Sequence, residues 1–347
     1  VIEIRAACSP GELRIAAIEN DTFLYAGLWR LGQPDGFDDW HIVRIQTIAP
    51  ALGGAFVTLF NGQSGFLSSR KLMTEGALVS ARVTRSAQNG KGLRLRPAED
   101  PPSSFHEPAL IQHGMSPLEE VANRFQDATI FVDDAAIAAR LPLHLRPRIK
   151  TCLNAFDSTI ETEFDELGSN TVDLGLMTAS IFPTPALVAI DLDSHKNPDF
   201  KSNVSSFAPL SRQIALRNLS GTLLIDPAGV KTRKRSALVS FLQDAMKDDP
   251  LKPNVLGVTP SGLLEITRPR KRPPLHELLT SPHGQALNIL RHILRENRSG
   301  TKLTASIPLI TALENDPLAL KDFISRRASP IELAINPNAA PTEWRLS

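Results

Sequence analysis

The stretch HIVRIQTIAPALGGAFVTLFNGQSGFLSSRKLMTEGALVSARVTRSAQNGKGLRLR occupies residues 41–96 and decides the first part of the fold. Five short runs of alternating apolar residues stand out in it: HIVRIQTI, GAFVTLF, SGFLSS, ALVSARVT and GLRLR. Pro50, Gly53-Gly54, Asn61-Gly62, Gly76 and Asn89-Gly90 separate them, and these are residues that turns favour. Five strands so closely spaced predict a small closed barrel of OB-fold type.

On the N-terminal side, VIEIRAA, GELRIAAIEN and DTFLYAGLWR are broken at Ser9-Pro10-Gly11 and Asn20-Asp21, which predicts hairpins or a meander within residues 1–36. On the other side, PAEDPPSSFHEP (97–108) carries four prolines and reads as a linker. SPLEEVANRF then opens a helix, with Ser116 and Glu119 in capping-box relation and Pro117 at the first helical position. A strand, ATIFVD (128–133), and a helical DAAIAARL follow. From 174 to 278 strand and helix alternate: ALVAID (186–191), a helix near 205–217, TLLID (222–226), a basic helix RKRSALVSFLQDAM (233–246) and GLLEIT (262–267). Residues 279–347 predict a compact α/β unit ending in the strand IELAIN.

With 347 residues the chain exceeds the ~250–300 at which a single core stops growing, so two or more compact units are expected. The hydrophobic share of 42% and charged share of 22% exclude a mainly disordered protein. The net charge of +1 argues against a polyanion partner only as a global sum, because cations concentrate at 82–96, 231–235 and 268–272 while acids collect at 155–166 and 313–316. Cys8 and Cys152 have no CxxC spacing, which excludes a disulfide framework or a cysteine zinc cluster and fits a reducing cytoplasm. Thr178, Ser180, Pro183, Thr184 and Pro185 interrupt the longest uncharged apolar stretch, 174–190, whereas a membrane helix needs ~20 cleaner residues. The N-terminal residues show no signal-peptide core. A soluble, cytoplasmic protein with no membrane partner is expected.

Two apolar strands each end in aspartate: ALVAID at Asp191 and TLLID at Asp226. If they are neighbours, both carboxylates stand ~5 Å apart and can share one divalent ion, Mg²⁺ being suited to one or two carboxylates plus waters and phosphate oxygens. Asp193 stays on the same face if the strand continues. Lys231, Arg233, Lys234 and Arg235 follow Asp226 and supply cations for a phosphate. The same aspartates equally fit the caps of the next helix or turn. His195 lies close behind as a base, a ligand or an exposed loop residue, and Arg268-Pro269-Arg270-Lys271-Arg272 is either a solvated run or a phosphate contact.

In the barrel, Phe56 and Phe66 fall on consecutive strands, where outward phenylalanines stack on bases and inward ones belong to the core. Arg82, Arg85, Lys91, Arg94 and Arg96 follow with no acidic residue among them, leaving one face positive for a single-stranded backbone.

In the same order along nearly the whole chain, RIQTIAPALGGAFVTLF…SGFL, ALVAIDLDS, RNLSGTLLID and SGLLEITRPR resemble the catalytic half of the ribonuclease E/G family of bacterial endoribonucleases. The resemblance implies an α+β/α/β multidomain fold. An RNase H-like subdomain (1–36 and 104–175) is interrupted by an S1-type OB-fold barrel (37–98). A DNase I-like subdomain (176–278) and a small C-terminal α/β domain (279–347) follow. It puts the metal aspartates at Asp191 and Asp226 and the RNA-gripping S1 residues at Phe56, Phe66 and Lys91. Asp193 replaces a family asparagine, Pro185 a glutamate, and Gly229 the second acid of an IDFID-like run. The family's 5′-monophosphate sensor and its zinc-link cysteines find no counterpart, so an oligomer would not be zinc-linked.

The expected function is a Mg²⁺-dependent endoribonuclease that cuts single-stranded RNA. Asp191, Asp193 and Asp226 form its centre, one Mg²⁺ is its cofactor, and Arg82, Arg94, Lys231, Arg233, Arg268 and Arg270 join Phe56, Phe66 and Lys91 in binding RNA. The alternatives are an RNA-binding adaptor derived from the same family with a decayed site, and a DNA-directed factor with structural aspartates.

Overall fold

The computed structural model describes residues 1–69, 71, 73–99, 105–194 and 197–347. The chain is a mixed α/β protein divided into two compact units, one of residues 1–34, 116–168 and 275–347, the other of 35–115 and 169–274.

The second unit begins with the barrel. Its strands are β1 (Trp40–Ala49), β2 (Gly54–Thr58), β3 (Ser64–Ser68), β4 (Leu78–Arg85) and β5 (Leu93–Pro97), and β6 (Ala109–Gln112) adds to the outside of β1. The order β2-β3-β5-β4-β1 is closed by pairing of β1 with β2, which is consistent with an OB-fold. Closure follows from the alternation: Val43, Ile45, Ala55, Val57, Leu67, Val83, Leu93 and Leu95 point inward and form one buried core. The linker expected at 97–108 lies partly outside the described residues.

The same unit continues into a six-stranded sheet of β7 (Thr171–Asp173), β8 (Thr178–Pro183), β9 (Leu187–Asp193), β10 (Gly221–Asp226), β11 (Asn254–Val258) and β12 (Leu264–Arg268), in the order β7-β8-β9-β10-β12-β11. Only β9 and β10 are parallel, and α1 (Phe200–Leu216) makes the crossover between them. Asp199 caps α1, accepting from Ser202 N at 2.7 Å. α1 and α2 (Val239–Met246) cover one face through Phe207, Leu210, Ile214 and Leu242, packed on Val188, Ile190, Leu223 and Ile225. Each such side chain contributes roughly 1.5–3 kcal/mol on burial, which fixes the covered face.

The first unit carries a five-stranded sheet from 3–9, 12–19, 22–29, 129–132 and 149–151, in which 129–132 runs parallel to 3–9. The capping box of Ser116 and Glu119 forms as expected, with Glu119 N donating to Ser116 Oγ at 3.2 Å. Arg14, 1% exposed, donates to Glu161 at 2.5 Å and Asp165 at 2.7 Å. The C-terminal residues of this unit add three strands, 302–305, 332–335 and 344–346, against a separate core around Leu290, Leu309 and Phe323.

Three differences from expectation have local causes. The basic segment is not one helix but a 3₁₀ turn, Thr232–Leu238, followed by α2, because Lys234 N bonds Lys231 O at 2.8 Å and tightens the first turns. Strand β8 lies in the proline-broken apolar stretch, where Pro183 at its end and Pro185 just beyond obscure its short alternation. Strand β11 carries a bulge between Val255 and Gly257, which disrupts its two-residue period.

Candidate active site

Register on the six-stranded sheet brings the carboxylates together. Leu187, Val188, Ala189, Ile190 and Asp191 pair with Thr222, Leu223, Leu224, Ile225 and Asp226 in that order. Val188, Ile190, Leu223 and Ile225 face the helices, so the alternating residues Ala189, Asp191, Asp193, Leu224 and Asp226 line the opposite face. Asp191 and Asp226 are therefore register partners on backbones about 4.8 Å apart. They stand at the carboxyl ends of the two parallel strands, the end where α/β sheets open a crevice for ligands.

The electrostatics follow from that register. Burial, then the negative charges of Asp226 and Asp193, push the Asp191 carboxyl above its usual range. Asp193 is exposed and accepts from Ser194 N at 2.7 Å. Asp226 Oδ1 accepts from Arg235 Nη1 at 2.7 Å, while Arg235 also donates to Val230 O at 2.9 Å and Gly262 O at 2.9 Å. The basic run is thus divided: Lys231, Arg233 and Lys234 are exposed, and Arg235 is folded inward as the strut of Asp226. No group of three or more His, Cys, Asp or Glu side chains among the described residues makes a metal-type cluster. What remains is a pair of hard carboxylate ligands that repel each other, a donor set suited to a hard divalent ion that keeps most of its waters. His195 lies outside the described residues.

Further residues shape this part of the sheet, and two of them, Asn203 and Phe182, were not singled out by sequence reading. Asn203, fully buried, donates from Nδ2 to Asp199 O at 2.7 Å and Ala228 O at 2.8 Å, tying the loop after Asp226 to the start of α1. Gly229 has φ +68°, and a Cβ there would lie 2.0 Å from Pro198 O, so no side chain fits the position. Pro185 lies exposed in the turn between β8 and β9. Phe182 pairs with Ala189 on the open face, 51% exposed, with Ser180 beside Asp191 in the next row of the pleat. Alternation within ASIFP is the signal that could have found Phe182. No local signal marks Asn203.

Arg268 corrects an expectation. Its side chain is buried, Nε and Nη2 grip Asp249 at 2.8 and 3.1 Å, and Nη1 donates to Leu219 O at 2.8 Å. Register opposite Gly221 turns it to the covered side of the sheet, so the guanidinium is an internal brace rather than a phosphate contact.

On the barrel, the outward face carries a continuous row. Phe56 pairs with Phe66, Phe66 with Arg94 and Arg94 with Arg85 across β2, β3, β5 and β4. Phe56 is 46% exposed and meets Phe66 edge-on at 5.4 Å between ring centroids. Arg94 donates to Ser68 Oγ at 2.9 Å. Arg82 instead stacks on Trp40 at 5.1 Å and donates to Asp38 O at 3.3 Å, which sets it apart from this row.

Residues 122–271, which include both carboxylate strands, match the model of the ribonuclease E/G family. Over that region the chain is similar to the ribonuclease E/G family. Among curated members, ribonuclease G of Haemophilus influenzae is 33% identical over 105 residues, covering 28% of this chain and 21% of that protein. Ribonuclease E of Escherichia coli K12 is 26% identical over 181 residues, covering 45% of this chain and 17% of that protein. Ribonuclease E of Synechocystis sp. is 25% identical over 182 residues, covering 46% and 27%. The matched region thus spans only between 17% and 27% of the length of these family members. Among the described residues, no helix is long and apolar enough to cross a membrane.

Proposed function

We propose that this chain is a metal-dependent endoribonuclease that hydrolyses single-stranded RNA in the cytoplasm. The observation that carries it is the register pairing of Asp191 with Asp226 on the open face of the sheet, within the region that matches the family. The domain reading that goes with it makes 37–98 an S1-type RNA-binding barrel and 176–278 a DNase I-like catalytic subdomain. Residues 1–36 with 104–175 form an RNase H-like subdomain, and 279–347 a C-terminal domain.

Asp191 and Asp226 would hold one Mg²⁺, which when bound acidifies water and polarises a phosphodiester. Arg235 keeps the Asp226 carboxylate turned to the open face by occupying Oδ1. Asp193, one pleat beyond Asp191, takes the proton of the attacking water on Oδ2, its Oδ1 being held by Ser194 N. The water oxygen bonds to phosphorus as the P–O3′ bond breaks, leaving a 5′-phosphate and, after proton uptake, a 3′-hydroxyl. The exposed Lys231 and Arg233 neutralise phosphate charge beside the cut, and Phe56 and Phe66 stack bases on the barrel.

The test is an end-labelled single-stranded oligoribonucleotide incubated with the full chain in Mg²⁺ or in EDTA. Cleavage that needs the metal and is lost in an Asp191→Asn/Asp226→Asn double variant is expected. Absence of metal-dependent cutting, or full cutting by the double variant, overturns the reading.

A further inference from the structure

A second cluster of charge, outside the carboxylate site, lies where the barrel turn 86–91 rests on the six-stranded sheet. Ser86 N donates to Lys271 O at 2.8 Å, Gln88 Nε2 donates to the same oxygen at 3.2 Å, and Ser220 Oγ lies 3.4 Å from Gln88 Oε1. Ser86, Gln88 and Ser220 are all buried, so this seam is built rather than incidental. The residue before Ser86 is Arg85 and the residue before Lys271 is Arg270, so one backbone hydrogen bond sets the two guanidinium groups side by side.

Both are held in place without a counter-charge. Arg270 lies across the start of β10, donating Nη2 to Ala186 O at 3.2 Å, and a Cβ on Gly221 would stand 2.0 Å from that nitrogen. Arg85 donates Nη2 to Gly92 O at 2.7 Å. The Nε of Arg85 and the Nε of Arg270 are buried with no hydrogen-bond partner. Neither residue, nor Lys91 or Arg94, pairs with a carboxylate among the described residues. The charge of Arg270, then slight burial and Arg85, hold the Lys91 ammonium below its ordinary range, while burial, Arg94 and Arg270 do the same to Arg85. A fold that gathers like charges with no carboxylate beside them is complementary to an oxyanion.

We propose that Arg85, Lys91 and Arg270 form a phosphate subsite for an internal phosphodiester of the bound strand. It receives the backbone where the row Phe56–Phe66–Arg94–Arg85 leaves the barrel. From Ala186 and Gly221 the strands run five residues to Asp191 and Asp226, about 16 Å at roughly 3.3 Å per residue. The subsite therefore fixes the register between the stacked bases and the bond to be cut. It rests on the reading of an RNA substrate given above, and it goes beyond that reading by assigning Arg85 and Arg270 a joint role.

The experiment is fluorescence anisotropy in EDTA with a 5′-hydroxyl single-stranded oligoribonucleotide and a series in which one linkage at a time is a neutral methylphosphonate. Wild-type protein should lose affinity several-fold at one internal linkage, and Arg270→Gln or Arg85→Gln should make that linkage indifferent. Each variant should also lower the slope of log K against log salt by about 0.7, the value for one phosphate contact on a single strand. Both variants should melt at or above the wild-type temperature in phosphate-free, low-salt buffer because they relieve repulsion, and Arg270→Lys should retain most of the slope. Unchanged salt slopes, or methylphosphonate effects that persist undiminished in the variants, overturn the subsite. Tighter binding of a 5′-monophosphate end that is lost in Arg270→Gln, with internal linkages indifferent, also overturns it by assigning the cluster to a terminal phosphate. Because no cleavage is measured, failure of the nuclease reading leaves this result separately interpretable.

Discussion

Arg235 Nη1 stands 2.7 Å from Asp226 Oδ1, so one carboxylate of the candidate centre is oriented by a side chain nine residues further along the chain. The same guanidinium closes the loop at Val230 and the turn at Gly262. Its charge-assisted hydrogen bonds are each of a class that contributes about 1.5–3 kcal/mol when intact. Arg235→Ala should lower unfolding stability by about that amount in denaturant titrations. Single-turnover cleavage should slow while affinity for single-stranded RNA in EDTA stays constant. Arg235→Lys should restore part of the stability, since an ammonium can meet only some of the three acceptors.

Asp191 and Asp226 repel each other in the metal-free chain because they face one another in register. Mg²⁺ should raise the melting temperature of the wild type, and Asp191→Asn should raise it in EDTA and abolish that response to Mg²⁺. Cleavage should fall by more than the roughly 10–100-fold that changes to outer-shell groups cost a metal site. A thermal melt with and without Mg²⁺ checks the first part, and a labelled-RNA time course the second.

The edge-on pair of Phe56 and Phe66 presents one exposed ring and one half-buried ring to the solvent side of the barrel. Phe56→Ala and Phe66→Ala should each weaken binding of a short single strand by about 1–3 kcal/mol, with little change in salt slope, because stacking rather than charge is removed. Anisotropy at two salt concentrations separates this from the loss of a cation.

Gly229 stands where the resembling family carries a second acid, yet Pro198 O leaves no room for a Cβ and φ is +68°. Gly229→Asp should therefore reduce both melting temperature and any cleavage rate instead of improving the centre. An increase in activity with unchanged stability would show that the loop can rearrange around a new carboxylate.

In the first unit, burial pushes the Glu161 carboxyl up. The hydrogen bonds and charge of Arg291, with Arg14 and Arg295, outweigh burial and hold it below its ordinary value. Because the folded value is depressed, the stabilisation is present above the unfolded pKa of about 4.3 and is lost as pH falls through the folded one. Glu161→Gln should flatten that acid limb in urea titrations between pH 3 and 7. At pH 7 it should cost up to about 3–5 kcal/mol, since the buried Arg14 loses one of its partners.

Much of this molecule is written locally. The turn residues between residues 41 and 96 determine five strands, and alternation within ALVAID and TLLID puts both terminal aspartates on one side of their strands. Ser116 and Glu119 announce their helix by a contact three residues apart, which needs nothing else from the fold.

What the sequence could not assign is the work of each cation. Arg268 and Arg270 are two residues apart in one basic run, yet Asp249 claims the first as a buried brace, while the second crosses Gly221 toward Lys91 and Arg85. Likewise Arg235 leaves its exposed neighbours Arg233 and Lys234 to hold Asp226. Strand periodicity and turn chemistry act over a few residues, so the sequence alone determined the barrel strands, β9 and β10, and the placement of the aspartates. The partner of a charged side chain depends on which distant segments the packed sheet brings beside it, so only the tertiary structure decided which cations remained open to phosphate.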